Sequence, residues 1–95
     1  GLLSDAELSA YVETVGQRLA AQSPRRDVTY RFFVAAAPEP NAFALPGGYI
    51  YVTRGLLALL NSEDELAGVL AHEIGHVAAR HAAQRLSRAA GMNLL

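Results

Sequence analysis

Apolar residues recur along this chain with two different periods, and each change of period marks a boundary between elements. Leu8, Tyr11, Val12, Val15 and Leu19 stand at i, i+3, i+4, i+7 and i+11. That spacing gives a helix one buried stripe. Ser4 and Glu7 form a capping box ahead of it, and Ser23-Pro24 stops it near Gln22. Over residues 28–35 the period drops to two. Val28, Tyr30, Phe32 and Val34 face one way, and Thr29, Arg31 and Phe33 the other. Such alternation among aromatic and β-branched residues predicts a strand. Pro38 and Pro40 break it. Residues 41–45 and 49–53 read as two short extended segments around the turn signal Pro46-Gly47-Gly48. Together they predict a small antiparallel sheet of about three strands.

The helical period then returns. Residues 55–60 read as a short helix with Leu56, Leu57 and Leu60 inward, and Ser62 with Glu65 forms a second capping box. The helix it opens is predicted to run to about Arg88, closed by Gly91. Acids fill its first turn, and Arg80, Arg85 and Arg88 its last turns, as the helix dipole prefers. The expected class is α+β: a packing helix, a small sheet, a short helix and a long helix. Counting about 100° per residue from Leu66, the residues Leu70, Ile74, Val77 and His81 share one flank. Gly68, Ala71, Gly75 and Ala78 form a second flank of small side chains, and His72 and His76 lie on a third. A helix apolar almost all round is expected to be buried at the centre of its domain.

Ninety-five residues make one small domain. An apolar fraction of 52% describes a globular chain, and a net charge of −1 gives no electrostatic basis for binding nucleic acid. All eight basic residues are Arg, and there is no Cys, which excludes disulfides and thiolate metal sites. No uncharged run reaches the ~18 residues a membrane span needs.

The chemistry is concentrated in His72-Glu73-Ile74-Gly75-His76, an HExxH motif inside the long helix. Positions i and i+4 lie one turn apart on one face, so His72 and His76 can hold one zinc ion between their rings. Glu73 is about 100° round the helix from His72. There it can reach the attacking water as a general base without becoming a ligand. His81 lies about 140° from His76, on the greasy flank, and reads as a structural histidine.

The segment from Leu70 through the motif to Arg80-His81 resembles the active-site helix of the HtpX/Oma/BepA-like and CaaX-prenyl-protease group of zinc metallopeptidases. Upstream, the run that begins Asn41-Ala42-Phe43-Ala44-Leu45-Pro46-Gly47-Gly48 and ends at Leu57 resembles the same group. The resemblance implies a zincin-like fold with His72 and His76 as zinc ligands and Glu73 as base and proton shuttle. It also implies that Asn41, Ala42, Phe43 and Ala44 form the edge strand on which an extended peptide is laid. Bound substrates would be extended or misfolded protein segments, and the location a bacterial periplasm or cell envelope.

A catalytic zinc needs three protein ligands and one open position. In this group the third is a Glu on a later helix, yet after Glu73 the chain has no Asp or Glu. Glu65 is about two turns from His72, some ~10 Å along the axis. The 95 residues are therefore expected to be the N-terminal part of a single zincin-type catalytic domain, lacking the helix that completes the site of one zinc ion. Two other readings stand beside peptide hydrolysis. One is a non-catalytic module that captures extended segments on the sheet edge. The other is a metal bridge formed by His72 and His76 between two copies of the chain.

Overall fold

The computed structural model describes residues 4–23 and 27–91. The first helix, α1, spans Asp5–Ala20. Its capping box is complete: the Ser4 hydroxyl accepts from the Glu7 N–H, and the Glu7 carboxylate accepts from the Ser4 N–H. The strands follow as β1 (Arg31–Ala35), β2 (Ala42–Leu45) and β3 (Tyr49–Thr53). A short helix α2 (Arg54–Leu57) and a long helix α3 (Glu63–Ala89) complete the order. Ser62 caps α3 by accepting from the Glu65 N–H, while Glu65 reaches back to the Asn61 N–H and not to Ser62. Gly91 follows α3 with φ +73°. Residues 92–95 lie outside the described residues.

The sheet is mixed, not antiparallel. Its order is β1-β3-β2, with β1 parallel to β3 and β2 antiparallel to β3. Alternation along a sequence identifies strands but says nothing of their order. Here the connection through Pro38 and Pro40 carries β2 past the position next to β1, and the hairpin brings β3 back between them. Gly47 and Gly48 make that hairpin possible, with φ of +98° and +90°. At Gly48 a side chain would also meet the Thr29 carbonyl. The first strand is shorter than its alternating pattern because β3 begins at Tyr49. Only from Arg31 onward is there a partner opposite.

One face of the sheet is the core. Phe32, Ile50 and Val52 meet Val12 and Val15 from α1 and Leu66, Leu70 and Ile74 from α3, all of them buried. The other face is an aromatic row across all three strands. Phe33 stacks on Tyr51 and Tyr51 on Phe43, with ring centroids 5.1 and 5.2 Å apart.

The expectation that α3 is buried all round fails. Leu66, Leu70 and Ile74 are buried as the angular count requires, but His72, His76, Gly68, Ala71 and Gly75 are exposed. A Cβ at Gly68 or Gly75 would meet nothing within 4 Å. The sheet and α1 cover one side of a cylinder, and periodicity cannot count how many neighbours arrive.

Candidate metal centre

The third and fourth turns of α3 carry the motif on the face turned away from the core. Leu70 and Ile74 anchor that stretch from beneath. One turn apart, His72 and His76 bring their Nε2 atoms to 2.9 Å, with rings nearly perpendicular at 89° and centroids 4.4 Å apart. Neither ring has another hydrogen-bond partner among the described residues, so each points its Nε2 at the other. Two such nitrogens can share one proton, or they can supply two ligands to one cation at Zn–N distances of roughly 2.0–2.1 Å. The donor set thus fits two of zinc's coordination positions. Among the described residues no group of three His, Cys, Asp or Glu could hold a metal ion.

Two of the acids at the start of α3 are committed to other tasks. Glu65 accepts from the Asn61 N–H at 2.6 Å, and Glu63 accepts from the Tyr11 hydroxyl at 2.7 Å and from Arg18 at 3.2 Å. Glu73 is different. It is half-buried, and no hydrogen bond or ion pair holds its carboxylate among the described residues. His81 is separate from the pair: its Nε2 lies 3.1 Å from Asp27 Oδ2, which Arg85 also reaches at 2.7 Å.

The strand β2 lies at the sheet edge alongside α3. Its start is pinned to β3, since the Thr53 N–H donates to the Asn41 carbonyl at 2.9 Å. That bond sets the alternation of the whole antiparallel ladder. Asn41, Phe43 and Leu45 turn their backbone groups toward β3, and Ala42 and Ala44 turn theirs toward the open edge. The side chains of Ala42 and Ala44 pack against the core, and Phe43 lies in the aromatic row. Asn41 is exposed, its N–H taken up by the Thr53 hydroxyl at 2.9 Å. A groove of about 310 Å³ separates the hairpin from α3, with Ala44 and Leu45 on one side and His76, Val77, Arg80 and Gln84 on the other.

Sequence reasoning missed two of these residues. Thr53, which fixes the edge strand, carries no motif of its own and reads as the last residue of an alternating strand. Arg80 reads as a helix-dipole charge, although its i+4 spacing from His76 already puts it one turn along the same side.

Comparison with known proteins gives the family. The model of peptidase family M48 matches residues 6–95. The chain is 44% identical over 77 residues to the mitochondrial metalloendopeptidase OMA1 of Schizosaccharomyces pombe, covering 81% of this chain and 23% of that protein. It is 38% identical over 85 residues to the beta-barrel assembly-enhancing protease of Yersinia pestis and 35% identical over 85 residues to that of Escherichia coli. Each of these two alignments covers 90% of this chain and 18% of the relative. The chain thus spans about a fifth of the length of these relatives. With the motif helix and the edge strand inside the matched region, the chain belongs to peptidase family M48.

Proposed function

We propose that this chain carries part of the catalytic machinery of a zinc metalloendopeptidase: two ligands, the general base and the strand that holds the substrate. The observation that carries this reading is the pair of Nε2 atoms 2.9 Å apart on an exposed helix face, with Glu73 beside them in the same motif. Zinc, when bound, supplies Lewis acidity, polarising the scissile carbonyl and acidifying water. His72 and His76 would hold one ion, the third ligand coming from outside the described residues. Glu73, free of structural bonds, takes the proton of the attacking water and returns it to the leaving amine. Ala42 and Ala44 present their N–H and C=O groups to an extended backbone, which gives affinity with little sequence preference. Asn41 and Phe43 hold the strand on β3 and do not pair with the substrate themselves.

Strand addition suits extended or misfolded segments, because folded proteins keep their backbone groups paired. Two relatives are named for β-barrel assembly and one is named mitochondrial. On the former names we place the protein's work in a bacterial cell envelope, in protein quality control. No helix among the described residues is long and apolar enough to cross a membrane.

Glu73→Gln in the full-length protein tests the reading. Peptide cleavage is expected to fall by about 10²–10⁴-fold while bound zinc stays at one per chain. Cleavage at the parent rate by the zinc-loaded variant overturns it. A second reading, capture of extended segments without turnover, is favoured by the presence of only two candidate ligands among the described residues. Binding of unfolded protein with no product formed, in the full-length protein loaded with zinc, would select it.

A further inference from the structure

The groove beside His76 contains a charge that no acid among the described residues answers. Among the described arginines, Arg18, Arg31, Arg54 and Arg85 pair with Glu63, Glu13, Asp5 and Asp27. Arg80 has no hydrogen-bond or ion-pair partner among the described residues, and it lines the groove. The acid in the same lining, Asp27, is already engaged by Arg85 and by His81. A carboxylate entering the groove therefore meets an unpaired guanidinium. The same space also offers apolar walls from Val77, Ala44 and Leu45 to shelter such a pair.

The position of Arg80 gives that charge a place along a bound peptide. It is four residues after His76 and eight after His72, so the three side chains climb one side of α3 in successive turns. Across the groove lies Ala44, whose backbone groups face the open edge. An added strand pairs more stably antiparallel. It then runs opposite to β2, with its N-terminal part over the Leu45 end. That end faces His76 through Gln84.

We propose that Arg80 selects substrates carrying Asp or Glu shortly N-terminal to the scissile bond, its guanidinium pairing with that carboxylate in the groove between β2 and α3. The inference rests on the peptidase reading for its site but not on turnover. A planar guanidinium can take a carboxylate through two parallel N–H···O bonds, which an ammonium cannot reproduce. The preference is therefore a property of Arg, not of positive charge in general.

The test is binding, in full-length Glu73→Gln protein loaded with zinc, so that no peptide is consumed. Fluorescein-labelled alanine–valine peptides differ only by Glu, Gln or Lys at one position, scanned along the N-terminal half. At the position that reaches the groove, Glu is expected to bind about tenfold tighter than Gln, between an exposed ion pair and a sheltered charge-assisted hydrogen bond. Adding Arg80→Gln should bring that ratio to about one, and Arg80→Glu should invert it so that Lys exceeds Gln. Each ratio is taken within one variant and does not depend on the fraction folded. Equal binding of Glu and Gln peptides at every position, an unchanged ratio in Arg80→Gln, or no binding of any peptide overturns the proposal. A Glu preference that Arg80→Gln abolishes, together with a wild-type protein that cleaves nothing, removes turnover from the peptidase reading and leaves the carboxylate preference of the groove standing.

Discussion

The hydroxyl of Thr53 ties the beginning of the edge strand to the end of its neighbour by accepting the Asn41 N–H at 2.9 Å. The same oxygen donates to the Glu39 carbonyl at 2.6 Å and accepts from the Leu56 N–H at 3.1 Å, capping α2. Thr53 is 2% exposed, so these groups have no water to turn to. One buried side chain thus sets where β2 starts, and through the ladder it sets which backbone groups face the open edge.

Thr53→Val keeps the shape and removes all three bonds. A loss of about 2–3 kcal/mol in stability is expected from groups left unsatisfied, read from the urea midpoint. Amide exchange at Asn41 and Leu56 should rise with it. Thr53→Ser, which restores the hydroxyl, should recover most of the loss. Equal stability of the Val and Ser variants would show that the hydroxyl holds nothing.

Gly16 is where α1 comes down on the sheet. A Cβ there would come within 2.5 Å of three ring carbons of Phe32, which is itself buried. Gly16→Ala should destabilise by about 1–3 kcal/mol, against the usual gain from replacing a helix glycine. Thermal unfolding measures the sign, and a raised midpoint would mean that the ring moves aside at no cost.

Glu63 joins the start of α3 to α1. The Tyr11 hydroxyl, and after it Arg18, hold its carboxyl below the ordinary range. Glu7 is lowered likewise by the backbone and hydroxyl of Ser4. A lowered folded value means that the unfolded chain binds more protons, so stability rises with pH through that window. The contribution is fully present above the usual carboxylate value of about 4.3 and is lost as pH falls through the folded value. Glu63→Gln should flatten the acid limb of the stability curve while hardly changing its slope near neutrality. Both carboxylates are exposed, so salt should shrink the difference.

His72 and His76 predict a graded response to truncation. In the full-length protein, His76→Ala should weaken zinc binding by at least about tenfold in competition with a chelating dye, since on the proposed reading it removes one of the ion's few protein ligands. His81→Ala should leave zinc affinity unchanged, because its ring faces Asp27. A loss of zinc in His81→Ala equal to that in His76→Ala would contradict the separation of the two sites.

Much of this protein is legible from its chain alone. Capping boxes, the change of period and the Pro-Gly-Gly turn place the helices and strands within a few residues. The i, i+4 spacing alone brings two imidazoles together. These are local properties, governed by neighbours three or four residues away, and local chemistry states them directly. The pairing order of the strands, the bare face of α3, the partner of His81 at 54 residues' distance and the charge of Arg80, unpaired among the described residues, are of another kind. Each depends on which distant surface arrives beside a given side chain. Periodicity records only that a face is apolar or polar, while three-dimensional packing decides whether anything covers it.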